Sequence, residues 1–413
     1  MHLTHISLTN FRNFARLDVD VPGGPIILVG GNAQGKTSLV EAIYYLATFV
    51  SFQATHERQL INFHTNHDGI AVARIVAEFI STQAPMKPSL VDSGKHRIEV
   101  RIIRETGEFG EATRLRKEII LDGVKRKFGE VVGKFNAVLF LPHMLNVVEG
   151  APDERRRYLN LAMGQVIPKY AMILSEYGQA LSQRNALLKQ LGERGGDIDQ
   201  LSYWDKQLAN LGAQIIHTRI LAIQGLERHA SLIHRELTRG EEVLRILYQP
   251  SFDPLSNNHP QYALPLNAPI DRTRISLETI QKGFLNCLER LYNDEIERGV
   301  TTIGPHRDEL RFLSNGVDLG TFGSRGQART AVLSLKLAEM NWMKENSGQW
   351  PVLLLDEVLA ELDPSRRSDL LERLSGGEQT LLTTTDLDLF NEHFLNHARL
   401  WHIREGHLCA DSI

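Results

Sequence analysis

Two segments at opposite ends of the chain constrain this fold more than any other feature. Near the start stands Gly30-Gly31-Asn32-Ala33-Gln34-Gly35-Lys36-Thr37-Ser38, and near the end Pro351-Val352-Leu353-Leu354-Leu355-Asp356-Glu357. The first fits G-x-x-x-x-G-K-[ST] in full, with Gly30, Gly35, Lys36 and Thr37 in the required places. It follows the apolar run Ile26-Ile27-Leu28-Val29 and precedes a helical pattern from Leu39 to Leu46. That strand–loop–helix context turns several backbone N–H groups inward, toward an anion, and adds the positive end of a helix. Lys36 is placed to reach the outer phosphates of a nucleotide, and the Thr37 hydroxyl to ligate Mg²⁺. The plain alternative is a Gly-rich turn before a buried helix.

The second segment supplies what the first lacks. Val352 to Leu355 read as a strand apolar on both faces, which belongs in the middle of a parallel sheet. Asp356 at its end suits the Mg²⁺ site, and Glu357 suits polarisation of an attacking water. Adjacent carboxylates can also be a solvated strand end; the phosphate loop in the same chain favours the ATP reading. The two segments must meet, so whatever lies between them is inserted into one nucleotide-binding domain.

The rest of the chain limits the partners. Of 413 residues, 42% are hydrophobic and 23% charged, an ordinary globular balance with room for two or three domain-sized units. Two cysteines, Cys287 and Cys409, leave no disulfide framework and fit a reducing cytoplasm. No apolar stretch is long enough for a membrane helix, and the N-terminus lacks the pattern of a signal peptide. A net charge of −4 means that any nucleic-acid site is a local patch.

Along the chain, the first stretch is β-rich: His2–Leu8, Leu17–Val21, Ile70–Ile80, Arg97–Arg104, Lys117–Leu121 and Ala137–Leu141 read as strands. Between them, Ser81–Pro88 reads as a polar loop. After Gly150-Ala151-Pro152 the spacing becomes helical to Arg239, with a Gly-rich break at Gly192–Gly196 that suggests an antiparallel helical hairpin. Pro250–Pro269 reads as an exposed loop and Leu277–Ile296 as a third helix. The last part returns to α/β, with helices at Val332–Met343 and Ser365–Leu374 and strands at Val352–Leu355, Gln379–Thr383 and, last, Arg399–Ile403.

Phe322-Gly323-Ser324-Arg325-Gly326-Gln327 opens the helix before the carboxylate strand, and Leu359-Ala360-Glu361-Leu362-Asp363 follows it. In order and spacing these match the signature and D-loop of ABC-type ATPases; an ordinary helix cap is the alternative for Ser324–Gln327. With these motifs the chain resembles ABC ATPase heads of the SMC type. Within them it is similar to the RecF family, on Leu8–Phe14, Gly31–Thr37, Gly150-Ala151-Pro152 with Arg155-Arg156-Arg157, Gly304–Asp308, Ser324–Gln327 and Leu355–Asp363. It departs from that pattern at Ala328, at His143-Met144 and at Gln53. A switch histidine is not evident; Thr383-Thr384-Thr385-Asp386 stands in its place.

The resemblance implies an α/β ABC-type P-loop ATPase head split by a mainly helical insertion. Residues 1–152 would form the first half, 153–300 the helical lobe, and 301–413 the half carrying the signature. It implies an ATP-dependent homodimer in which Gly30, Gly31, Asn32, Ala33, Gln34, Gly35, Lys36, Thr37 and Ser38 of one copy hold ATP. Ser324, Gly326, Gln327 and Asp363 would come from the other, Thr37 and Asp356 would hold Mg²⁺, and Glu357 would be catalytic. It further implies weak DNA-stimulated ATP hydrolysis acting as a switch, and binding to duplex DNA near single-strand gaps. RecR and RecO would be partners in loading RecA during recombinational repair. A transporter ATPase subunit or an ATPase-coupled nuclease is the alternative; the first has a shorter gap between phosphate loop and signature, the second an added metal-carboxylate domain.

For DNA, the basic cluster Arg114 to Lys134, centred on Lys125, Arg126 and Lys127, is the candidate, against a solvated hairpin face. Arg155-Arg156-Arg157 opposes a helix dipole and points to a partner, either DNA or a neighbouring acidic group. Arg307 and Asp308 read as a structural or nucleotide-adjacent pair.

Overall fold

A computed structural model describes residues 1–65, 69–81, 94–105, 114–255, 271–374 and 379–410. Most of the loop expected at Ser81–Pro88 and part of that at Pro250–Pro269 lie outside them.

In chain order, the first stretch holds strands β1 (His2–Phe11), β2 (Phe14–Asp20) and β3 (Pro25–Val29), then helix α1 (Lys36–Thr48). Strands β4 (Ile70–Ile80), β5 (Lys95–Glu105), β6 (Arg114–Leu121) and β7 (Val124–Arg126) follow, then α2 (Phe128–Val131) and β8 (Ala137–Phe140). Helices come next: α3 (Asn146–Glu149), α4 (Pro152–Val166), α5 (Tyr170–Arg194) and α6 (Leu201–Leu237). After β9 (Leu244–Gln249) come α7 (Leu277–Arg290), α8 (Tyr292–Arg298), β10 (Glu309–Ser314), β11 (Val317–Asp318), α9 (Leu319–Phe322) and α10 (Arg325–Ser347). The chain closes with β12 (Val352–Asp356), α11 (Pro364–Leu374), β13 (Thr380–Thr384), α12 (Glu392–His397), β14 (Arg399–Arg404) and β15 (His407–Ala410).

These elements form two compact units, Met1–Met144 with Glu339–Ile413, and Leu145–Ala338. The second unit therefore contains Ser324–Gln327, whereas the sequence pattern ends the helical insertion near residue 300.

In the first unit, one sheet runs β15-β14-β3-β13-β12-β8, parallel throughout except for the β14–β15 hairpin. The continuous apolar runs of β3, β8 and β12 reflect burial on both faces: Ile26, Ile27, Val138, Leu353 and Leu354 have no exposed surface. A second sheet, β2-β1-β4-β5-β6-β7, is antiparallel, and α1 packs with residues of both sheets in one core that includes Leu8, Phe14, Ile43, Tyr45, Ile75, Ile102 and Leu139. The strand expected to be last, Arg399–Ile403, is followed by β15, joined through a tight turn whose Glu405 and Gly406 have positive φ.

The second unit is led by α5 and α6, which pack as the expected hairpin. Its turn is Gly195-Gly196; Gly192 lies inside α5, where a Cβ would come 2.6 Å from the Ile296 carbonyl. Three readings change here. The helical run before the break is two helices, divided at Ile167-Pro168-Lys169, where Pro168 removes a backbone donor. The third helix is likewise two, α7 and α8. A small antiparallel sheet, β11-β10-β9, was passed over: β9 and β10 are short and distant in sequence, and β11 is a two-residue strand after the tight Asn315-Gly316 turn.

Candidate nucleotide site

The parallel sheet places the phosphate loop and the carboxylates at the same end. β13 lies between β3 and β12, and in register Asp356 faces Thr383 while Val29 faces Thr384. All three strands release their chains at their carboxyl ends, where open α/β sheets bind ligands. A cleft of about 740 Å³ opens there, lined by Gly31 to Ser38, Asp356 and Glu357, with Asn13, Gln53, His64 and His143 on its walls.

The loop's shape is forced by close approach. At Gly30 a Cβ would sit 2.4 Å from the Ile403 carbonyl, and at Gly35, with φ 122°, a Cβ would sit 2.7 Å from Asn13 Nδ2. Gln34 is pinned to the β14–β15 turn: its Oε1 accepts the Glu405 N–H at 2.7 Å and its carbonyl accepts the Gly406 N–H at 2.9 Å. Gly31, Asn32 and Ala33 stand at the rim, all three open to solvent beside the cleft. Lys36 is almost fully buried, and its ammonium donates to the carbonyls of Gly30 at 2.7 Å and Gly31 at 3.0 Å. It lies 3.3 Å from the Glu357 carboxylate. Ser38 follows on the first turn of α1.

One carboxylate oxygen ties two strands and the start of a helix together. Asp356 Oδ1 accepts from Thr37 Oγ1 at 3.0 Å and from Thr383 Oγ1 at 2.8 Å, and Thr383 Oγ1 in turn accepts the Glu357 N–H at 2.9 Å. Burial pushes the Asp356 carboxyl above its usual range, opposed by the two hydroxyls. Glu357 adopts the left-handed conformation, φ 54°, which aims its partly exposed carboxylate into the cleft. The Thr37 hydroxyl and Asp356 carboxylate are hard oxygen donors of the kind Mg²⁺ takes while keeping several waters. Among the described residues no group of three or more His, Cys, Asp or Glu could hold a metal, so a richer all-protein cage is not offered there.

In the second unit, Ser324 and Gln327 form a capping box at the start of α10. Gln327 N–H donates to Ser324 Oγ at 3.2 Å, and Ser324 N–H donates to Gln327 Oε1 at 3.1 Å. The cap reading is thus correct as local structure, and it is compatible with anion binding, since Ser324, Arg325 and Gly326 are exposed at the helix's positive end. Ala328, where the family pattern has a second glutamine, is fully buried and leaves that exposed face unchanged. Asp363, back in the first unit, caps α11 by accepting the Arg366 N–H at 3.1 Å, with the Arg366 guanidinium also 3.1 Å away.

The basic cluster forms the β6–β7 hairpin and is interleaved with acids. Lys125 lies 2.8 Å from Glu118 and Arg126 3.5 Å from Glu130, while the Lys127 N–H donates to Glu130 at 2.8 Å. Lys117 pairs with Glu57. Of the two partners open for Arg155-Arg156-Arg157, the structure supplies the acidic one: Arg155 is held by both oxygens of Glu309, at 2.7 and 2.9 Å, and donates to the Gly150 carbonyl at 2.6 Å. Arg156 donates to the Asp308 carbonyl. Asp308 does not pair with Arg307; its carboxylate takes Arg219 at 2.8 Å, Tyr248 at 2.5 Å and the Ser251 N–H at 3.0 Å, deep in the second unit.

Sequence reasoning passed over Thr383 as a bridging residue and Gln34 as an anchor. A Thr at the end of a buried strand beside the carboxylate strand was the available signal for the first. The anchoring of Gln34 depends on β15, which no periodicity announced.

Residues 2–404 match the family model for the RecF/RecN/SMC N terminal domain. The chain is 39% identical to the DNA replication and repair protein RecF of Roseiflexus castenholzii, covering 99% of both chains. It is 35% identical to the protein of that name from Bacillus subtilis, covering 99% of this chain and 100% of the other. Among solved structures it is similar to the recombination mediator protein RecF with ATP, from the RecFOR pathway, with a TM-score of 0.80 and 29% identity, covering 100% of this chain and 98% of that one. An Smc head domain from Pyrococcus furiosus, 16% identical at a TM-score of 0.52 and covered over 95% of its length, shares the fold.

Proposed function

This chain belongs to the RecF family of SMC-type ABC ATPases, and from that premise we propose that it is an ATP-switched DNA-binding protein of recombinational and replication-gap repair. The observation that carries this reading is the shared oxygen of Asp356, which brings the phosphate-loop Thr37 and the carboxylate strand to one point at 3.0 Å.

The residues divide the work. Backbone N–H groups of Gly30 to Ser38 cradle the phosphates, and Lys36 moves from its two carbonyl partners to the outer phosphates. Thr37 and Asp356 would hold Mg²⁺, which would supply charge neutralisation at the phosphates. Glu357 accepts a proton from the attacking water, held at the right height by the bond from its N–H to Thr383. Ser324, Gly326 and Gln327 of a second copy approach the γ-phosphate with the α10 N-terminus, and Asp363 lies on the loop that crosses between the copies. ATP thus joins two copies, and hydrolysis, weak and stimulated by DNA, parts them. Duplex DNA near gaps is the partner, and RecR and RecO act with the dimer in loading RecA, a role supported by likeness to the RecF structure of the RecFOR pathway. The helical segment is the insertion that splits the ATPase head.

Lys125, Arg126 and Lys127 are the surface we assign to phosphate contacts. Their pairs with Glu118 and Glu130 are exposed and so individually weak, and phosphate oxygens can replace them. Each lost phosphate contact lowers the slope of log affinity against log salt by roughly 0.9. Replacing all three with Ala is expected to flatten that slope by up to about 3, read by fluorescence anisotropy of a short duplex with ATP–Mg²⁺ present. An unchanged slope removes this hairpin from the DNA site.

A further inference from the structure

Glu242 belongs to no motif, yet it sits at the hub of the signature turn. It lies between α6 and β9, and its two carboxylate oxygens are divided. Oε1 accepts from Gln327 Nε2 at 3.1 Å. Oε2 accepts from Ser314 Oγ at 2.7 Å and lies 3.2 Å from His234 Nε2. Burial acts to raise the Glu242 carboxyl, but these bonds outweigh it and hold it below its usual range. Ionised, it can only accept, so His234 Nε2 carries the proton. His234 is fully buried, and its Nδ1 lies 3.0 Å from Ser334 Oγ, two turns along α10 from Gln327. The end of α6 and its following turn therefore grip α10 at two points on one face.

The grip decides the orientation of one amide. Gln327 gives its Nε2 to Glu242 and keeps its Oε1 for the Ser324 N–H, while its own N–H goes to Ser324 Oγ. Without an acceptor at Glu242, the amide can turn its nitrogen toward Ser324 and present a donor to a donor. We propose that Glu242 is a positioning residue for the turn 324–327: it fixes the Gln327 amide, and through it the exposed Ser324 and the first N–H groups of α10, in the arrangement that receives the γ-phosphate held by a second copy. This rests on the composite-site reading above. Glu242 itself touches no nucleotide.

The test changes Glu242 and leaves the turn 324–327 untouched. Glu242→Ala removes the acceptor of the Gln327 amide, whereas Glu242→Gln keeps an amide oxygen to accept it. ATP–Mg²⁺-induced dimerisation is measured by light scattering, beside binding of a fluorescent ATP analogue to the monomer and the melting temperature. Glu242→Ala is expected to weaken dimerisation at least tenfold and Glu242→Gln to stay within threefold of wild type, with monomer binding unchanged in both. Ser314→Ala, which loosens the same carboxylate without freeing Gln327, is expected to lower the melting temperature and leave dimerisation within threefold. Glu242→Ala within threefold of wild type, Glu242→Gln no better than Glu242→Ala, or Ser314→Ala as defective in dimerisation as Glu242→Ala overturns the role of Glu242. Ser324→Arg separates the two levels. If it abolishes the dimer while Glu242→Ala dimerises normally, only Glu242's role falls; if it dimerises normally, the composite-site reading falls and this proposal with it.

Discussion

At the scale of single residues, the site is a short chain of hydrogen bonds from Thr37 through Asp356 and Thr383 to the Glu357 amide. Each link has a separable consequence. Glu357→Gln keeps the shape and removes the proposed base, so ATP binding is expected to persist while hydrolysis, followed by phosphate release, falls roughly 10²- to 10⁴-fold. Wild-type turnover in that variant would take Glu357 out of catalysis. Thr383→Val is a subtler test. It removes a donor to Asp356 and leaves the Glu357 N–H without its acceptor, a loss of about 1–3 kcal/mol in a buried setting. Stability to urea is expected to fall by that order, and kcat to drop more than ATP affinity, because the misplaced group acts on water rather than on phosphate. An equal loss in affinity and turnover would mean that Thr383 serves the loop instead. The carboxylates and the loop were legible because their chemistry is local in sequence; the bridging threonine was not, because its role exists only once β13 lies between β3 and β12.

At the scale of elements, the long periodic segments were legible and the short ones were not. The apolar runs of β3 and β12 and the 3.6-residue spacing of α5 and α6 declare themselves. Strands β9 and β10 pair across a distant connection that no window of sequence spans, while β11 and β15 are too short for periodicity and only tight turns such as Asn315-Gly316 mark them locally. The basic hairpin was legible as charge, but its acids are spread over β6 and α2 and their pairing appears only in three dimensions. The outer face of the antiparallel sheet makes a pH-dependent prediction of its own. Glu99 on β5 accepts from Arg74 at 2.8 and 2.9 Å and from Arg101 at 2.6 Å, and the Arg74 guanidinium draws its carboxyl down to about 2. The folded value lies below the unfolded one, so the contribution is complete above about pH 4.5 and fades as pH falls toward 2. At neutral pH that shift corresponds to about 3 kcal/mol. Glu99→Gln is therefore expected to lower urea stability at pH 7 by up to that amount, with the two proteins converging near pH 2. A constant gap across that range would assign Glu99 a packing role only.

At the scale of the whole molecule, the phosphate loop and carboxylates lie in the first compact unit and the turn 324–327 in the second. No helix of the described residues is long and apolar enough to cross a membrane. The central claim is that ATP bound on one copy is completed by residues 324–327 of another. Static light scattering of the wild type, Glu357→Gln and Ser324→Arg, each with and without ATP–Mg²⁺, tests it directly. The account predicts an ATP-dependent doubling of mass for the wild type and a longer-lived dimer for Glu357→Gln. For Ser324→Arg it predicts a monomer that still binds ATP, because a bulky cation bars the helix N-terminus from the partner's phosphate. An ATP-induced dimer of Ser324→Arg as stable as that of the wild type would contradict it.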